Sequence, residues 1–141
     1  MWYNRCTIME ARHTMHRLLR NPRQLFLIDS LGAGLTLFFL LAILLPFNRQ
    51  FGMPLHILLI LAVPALLFAL YSACCFWWTG TRWRPFLRAI SVANLLYCCL
   101  TAGLVVSHYS QLTGLGVAYF ILEMGVICVL VSVEQRAIRK A

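Results

Sequence analysis

Residues 112–133 read LTGLGVAYFILEMGVICVLVSV, an almost wholly apolar run with one charge-bearing side chain, Glu123, at its centre. A helix of this length extends ~33 Å at 1.5 Å per residue, enough to cross the ~30 Å hydrocarbon core of a bilayer. Glu123 would then lie near the midplane, where a charged group costs about 3 kcal/mol or more unless it is paired, protonated or hydrated. Glu123 is therefore the first candidate for a functional residue.

The composition of the whole chain is that of a membrane protein. Of the 141 residues, 62% are hydrophobic, and the mean hydropathy is +0.81. Ordinary soluble domains are less apolar, so the sequence predicts an all-α polytopic membrane protein whose main partner is the lipid bilayer. The net charge of +8 does not indicate nucleic-acid binding, because the basic residues flank apolar runs and no soluble face remains to carry a basic patch.

Four apolar runs predict an antiparallel four-transmembrane-helix bundle. The expected helices cover about residues 25–45, 55–78, 86–107 and 112–133, within one domain at 25–133. A basic segment at 1–24 precedes this domain, on the cytoplasmic side or in the membrane interface, and a basic cytoplasmic tail at 134–141 follows it. Met9 and Met15 leave open a later translation start than Met1.

Lys and Arg are distributed unequally between the two sides of this bundle. The side with the first and third loops carries a single basic residue, Arg49. The side with the N-terminal segment, the second loop and the tail carries all the rest: Arg5, Arg12, Arg17, Arg20, Arg23, Arg82, Arg84, Arg88, Arg136, Arg139 and Lys140. Short loops rich in Lys and Arg stay in the cytoplasm. The sequence therefore predicts that both termini are cytoplasmic.

Several polar side chains are predicted to meet at the depth of Glu123. Counting from the helix ends places Thr36, Tyr97 and Glu123 near one level, with Asn94 within a turn of it, and Tyr119 shares the face of Glu123. We expect a protonated Glu123 to donate to Asn94, or to a backbone carbonyl freed by a proline in the second helix, with a tyrosine completing the cluster. The functional interpretation is a proton-responsive or cation-binding site. The alternative is a single hydrogen-bonded acid that holds helices together.

Small residues mark faces for close helix packing. Gly32 and Ala33 share a face of the first helix, and Ala65, Ala69 and Ala73 repeat every four residues along the second. The remaining acids of the apolar domain and its edge, Asp29 and Glu134, are expected near the cytoplasmic surface as weak ion pairs with the nearby arginines.

The sequence contains no signature of an enzyme and no expected cofactor or metal site. It lacks the Gly-rich phosphate loop, HExxH, GxSxG and CxxC motifs. Five of the six cysteines lie inside apolar runs, where a buried thiol usually behaves as a small hydrophobe. Enzymatic activity is therefore the least favoured class of function.

Five segments resemble small four-helix bacterial membrane proteins of uncharacterised function: DSLGAGLT at 29–36, FGMP at 51–54, LFALYSACCF at 67–76, NLLYCCL at 94–100 and YFILE at 119–123. The resemblance covers about residues 25–135 and implies a one-domain protein of the bacterial inner (plasma) membrane, without a known activity. In size and in its midplane acid the chain also resembles the small multidrug transporters. Their essential Glu lies in the first helix, however, so no residue is carried over.

Two functions from different classes remain. The first is an interaction or accessory membrane protein that associates with a membrane partner, or with a second copy of itself, through the small-residue faces. The alternative is a small oligomeric transporter or ligand-binding protein that uses Glu123 with Asn94 and Tyr97. A single bundle of this size has little interior for a solute path, which favours the first.

Overall fold

A computed structural model of the chain describes residues 8–10, 12–14, 21–78 and 80–140, and these ranges contain helices but no strand. Four helices dominate: α1 (Pro22–Phe39, continued by a wide π-helical turn at Leu40–Leu44), α2 (Leu55–Trp78), α3 (Arg84–Ser107) and α4 (Gly114–Lys140). Each is long and apolar enough to cross a membrane. The prediction of an all-α four-helix membrane bundle is confirmed.

The helix ends follow from local sequence signals. Proline lies in the first turn of α1 and of α3, where its missing N–H would have no helical partner in any case. Just before Pro46, the Leu45 N–H donates to the Leu40 carbonyl (2.9 Å), five residues back, which widens the last turn of α1. A single helical turn, Asn48–Phe51, then ends at Gly52, whose φ of 74° is accessible to glycine without strain.

The helices form two closely packed pairs. Helix α1 packs along α2, and α3 packs along α4, whereas α1 and α4 approach one another only sparsely. Within the first pair the Ser30 hydroxyl donates to the Ala69 carbonyl (3.1 Å), so the predicted small-residue face of α2 is used against α1 of the same chain at this position. The looser contact between the pairs leaves space beside α1 and α4.

The short turn after α1 docks against the start of α4. The Thr113 hydroxyl donates to the Gln50 carbonyl (2.6 Å), and the Thr113 N–H donates to the Phe51 carbonyl (3.2 Å). Gly116 lies so close to this turn that a Cβ there would stand 2.3 Å from the Phe51 carbonyl oxygen. These contacts fix one helix pair against the other at this end of the bundle.

The helix bounds differ from the predicted ones at both ends of the chain. Helix α1 begins at Pro22, three residues before the predicted start, and α4 continues to Lys140 through most of the predicted tail. Of the basic N-terminal segment, residues 8–10 and 12–14 are helical, and the rest of residues 1–20 lies outside the described part of the chain. Polar residues thus extend the helices beyond their apolar runs.

Candidate functional site

A cavity of about 180 Å³ lies between the two helix pairs. Its walls are mostly apolar side chains of α1 and α4, with Phe68 and Ala65 of α2 behind them. Leu35, Leu122 and Val126 line it and are each more than half exposed on the outer surface of the bundle. The cavity therefore reaches the surface between α1 and α4, on the face that lipid would cover.

Glu123 lies in this cavity with only one of its two carboxyl oxygens hydrogen-bonded within the described structure. It lines the cavity and is only 7% exposed. Its Oε1 accepts a hydrogen bond from the Tyr97 hydroxyl (3.3 Å), and Thr36 of α1 is a further polar neighbour. Its Oε2 is buried and has no hydrogen-bond partner among the described residues. A buried carboxyl oxygen without a partner is costly, so this group is suited to meet a ligand.

Four aromatic side chains line the cavity together with Glu123: Phe39, Phe68, Tyr97 and Tyr119. Tyr119 lies one turn before it on α4, with ring centroids 6.2 Å from Phe39 and 6.5 Å from Phe51. Across the cavity, the rings of Tyr97 and Phe68 are 6.0 Å apart, edge to face. Aromatic faces attract organic cations. Among the described residues, no Lys, Arg or His lines the cavity, so its polar groups favour a cation or a hydrogen-bond donor over an anion.

Asn94 also lines the cavity, but its amide bonds to a different acid from the one expected. The Asn94 Nδ2 donates to Asp29 Oδ1 (2.6 Å), and the Ser72 hydroxyl donates to Asp29 Oδ2. One part of the cavity thus holds four of the predicted polar residues, Thr36, Tyr97, Tyr119 and Glu123. Asn94 belongs to a second polar group, at the end of the cavity where Asp29 lies. Three helices contribute to this second group.

The predicted packing residues occupy two environments. Gly32, Ala33 and Ala65 line the cavity, and Ala65 is 2% exposed. Ala69 receives the hydrogen bond from Ser30, and Ala73 is half-buried further along α2. A Cβ on Gly32 would meet no atom within 4 Å, so this glycine provides space in the cavity rather than a close helix contact.

The expectation that Asp29 and Glu134 form ion pairs at the cytoplasmic surface is wrong. Asp29 is 1% exposed and Glu134 is 0% exposed. The donors to Asp29 are a serine and an asparagine, and neither oxygen of Glu134 has a hydrogen-bond partner in the described structure. The two acids lie within electrostatic range of each other. Proximity of arginines in the sequence suggested ion pairs, but the acids face the interior of the bundle.

The described cysteines and histidines do not cluster as metal ligands. Within residues 8–10, 12–14, 21–78 and 80–140, no group of three or more His, Cys, Asp or Glu is placed to hold a metal ion. The described cysteines form no disulfide, although the Sγ atoms of Cys98 and Cys128 are 4.0 Å apart between α3 and α4.

Comparison with known proteins does not assign the chain to a family. No family model, no curated protein and no solved structure matches the chain. The four membrane-length helices make it a multi-pass membrane protein, and any finer function must come from its own cavity and side chains.

Proposed function

We propose that this protein binds small lipophilic cations in the cavity between α1 and α4, with Glu123 as the counter-ion. The observation that carries the proposal is the unpartnered Oε2 of Glu123 in an otherwise apolar, aromatic-lined cavity. A ligand with one positive charge and an apolar body would give the unpartnered Oε2 of Glu123 an oppositely charged partner. Its apolar body would contact the apolar walls without displacing a polar group. An anion would face carboxyl groups, and none of the described lining residues is basic.

The size of the cavity limits the ligand. A dry cavity of roughly 150 Å³ accommodates benzene, and the cavity here is about 180 Å³. The ligand class is therefore a single aromatic ring or short alkyl body with an ammonium group, entering from the lipid side past Leu35 and Val126. The aromatic rings of Tyr97 and Tyr119 would add cation–π attraction.

Binding of phenyltrimethylammonium to the purified full-length protein tests this proposal. We expect saturable binding by wild type, and binding at least tenfold weaker, about 1.4 kcal/mol, in Glu123→Gln. Glu10→Gln is the matched control, because Glu10 is an exposed acid outside the bundle. The uncharged isostere tert-butylbenzene separates charge from shape and should bind Glu123→Gln as well as wild type. Equal binding of the cation by wild type and Glu123→Gln would refute the role of Glu123.

A second pair of variants tests the location of the ligand. Gly32→Phe places a ring in the cavity, whereas Gly34→Phe introduces the same ring on α1 at a glycine that does not line it. A Cβ at either position has open space around it. We expect loss of cation binding in Gly32→Phe alone.

We also propose that the protein lies in a bacterial inner membrane with both termini in the cytoplasm. The asymmetry of Lys and Arg supports this orientation. A further support is the hydrophobic cluster that joins Leu25, Cys75, Leu87 and Ala137, since it brings the basic flanks of all four helices to one end. Association with a second copy or with another membrane protein stays a prediction.

A further inference from the structure

Asp29 and Glu134 form a second acidic site that the cation-binding proposal does not use. Glu134 is fully buried, and neither of its carboxyl oxygens has a hydrogen-bond partner among the described residues. Asp29 is 1% exposed on α1 and accepts a hydrogen bond from Asn94 of α3. One turn away on α3, Ser91 accepts a hydrogen bond from Gln135, the residue next to Glu134, so both acids lie against the same stretch of α3. Two neighbouring buried acids repel each other when both are ionised, and burial makes each uncompensated charge costly.

Oxygen-bearing side chains surround the two acids. Asp29 is held by the Ser72 hydroxyl and by the Asn94 amide, which fix the orientation of its carboxyl group. On the other side, Ser91 is the polar neighbour of Glu134, and its Oγ accepts a hydrogen bond from the Gln135 Nε2 (3.0 Å). Each carboxylate oxygen has two lone pairs, so Asp29 can still bind a ligand after accepting these bonds.

None of the described residues brings a positive charge into hydrogen-bonding contact with these two acids. The hydrogen-bond donors to Asp29 are neutral, and no Lys, Arg or His of the described residues donates to Glu134. Ligands that are all carboxylate and hydroxyl oxygens select hard cations such as Na⁺ or Ca²⁺, rather than the softer metals that prefer imidazole or thiolate. A small cation would compensate both acids and give the orphaned oxygens of Glu134 a partner.

We propose that Asp29 and Glu134 bind one small hard metal cation between α1 and α4, with the Ser91 hydroxyl as a third ligand. Asp29 is the ligand whose orientation its hydrogen bonds already fix. Glu134 supplies the second carboxylate, from the other helix. The cation connects α1 to α4, two helices that otherwise approach each other only sparsely. Because Asp29 also lines the cavity, the cation lies at one end of the space in which Glu123 binds its ligand.

Thermal unfolding of the purified full-length protein in detergent tests this site with metal ions alone. N-methylglucamine chloride is replaced stepwise by NaCl, LiCl or KCl at constant ionic strength, and separate titrations add CaCl₂ or MgCl₂. We expect one of the small cations to raise the unfolding midpoint saturably, by roughly 5–10 °C at a hundredfold excess over its Kd. The series also identifies whether the preferred cation is monovalent or divalent.

Matched acid-to-amide variants show which carboxyl group is responsible for the cation-dependent rise in the unfolding midpoint. Glu134→Gln should lose the cation-dependent rise and, without cation, unfold at or above the temperature of wild type, because the neutral amide removes a buried negative charge that nothing compensates. Glu10→Gln and Glu123→Gln should keep the rise, which separates this site from the proposed function. If Glu134→Gln does not fold, Asp29→Asn takes its place with the same expected loss. A wild-type midpoint insensitive to every metal ion, or an undiminished rise in the variant, would overturn the proposal.

Discussion

Asn94 donates a hydrogen bond of 2.6 Å from its Nδ2 to the Oδ1 of Asp29, and so joins the middle of α3 to the first half of α1. Asn94 is 6% exposed and Asp29 is 1% exposed, so water does not compete for this contact. Helices α1 and α3 belong to different closely packed pairs. The bond therefore links the two pairs across the interior of the bundle.

Replacement of Asn94 by leucine should destabilise the protein. The apolar side chain leaves one acceptor of a buried acid unsatisfied, and the loss of a hydrogen bond to a charged group costs roughly 1.5–3 kcal/mol. Reversible unfolding in mixed micelles measures the change. Leu96→Ala, at a position 65% exposed toward lipid, is the control and should cost less. An Asn94→Leu variant as stable as this control would show that the bond contributes nothing to stability.

Gly116→Ala should destabilise the contact between the turn after α1 and the start of α4. The new Cβ would stand 2.3 Å from the Phe51 carbonyl oxygen, a backbone atom that cannot move aside alone. Overpacking of this kind typically costs about 1–3 kcal/mol. Gly114→Ala, two residues earlier, meets no atom within 4 Å and should be neutral or slightly stabilising. The same unfolding assay compares the two, and equal stabilities would contradict the close approach.

The sequence predicts the membrane helices well because length and hydropathy determine them. It predicts the polar contacts less well. The sequence predicts Asp29 and Glu134 at the surface, because acids near the ends of apolar runs usually pair with interfacial arginines. In the structure, Asp29 lies seven residues into α1, Ser91 seven into α3, Ser72 six from the end of α2 and Glu134 six from the end of α4. The predicted bounds hide this common level, because they end the fourth helix at residue 133, before Glu134. Four polar residues at one level from four helices indicate an interior polar layer.

Asn94 shows why depth alone does not decide a partner. Its level allows bonds to Glu123 or to Asp29, and the choice depends on the rotation of α3 about its axis. That rotation follows from packing, which places Tyr97 of the same helix toward Glu123. The cavity could not be predicted either, because it results from the sparse approach of α1 to α4, and hydropathy contains no information about pairing distances.

Cys98 and Cys128 should form a disulfide when the protein is treated with copper phenanthroline and oxygen. Their Sγ atoms are 4.0 Å apart, and side-chain rotation with a small helix shift brings them to bonding distance. The two thiols lose their hydrogens to oxygen, and mass spectrometry of proteolytic peptides detects the linked α3 and α4 segments. Cys98→Ser should abolish the link and Cys99→Ser, at the adjacent exposed position, should not. A link through Cys99 instead would indicate a different rotation of α3.

Single cysteines at the two ends of the bundle should reveal the orientation of the chain. In a background with all six native cysteines replaced by serine, Tyr109→Cys lies in the α3–α4 loop, 66% exposed, and Arg139→Cys lies near the exposed end of α4. Since Lys and Arg favour the cytoplasm, a membrane-impermeant maleimide added to intact spheroplasts of a bacterial host should label Tyr109→Cys only. In permeabilised cells the maleimide should label both variants, which shows that both introduced cysteines can react. Labelling of Arg139→Cys in intact spheroplasts would invert the assigned orientation, and it would place the end of the bundle that holds Asp29 and Glu134 toward the periplasm.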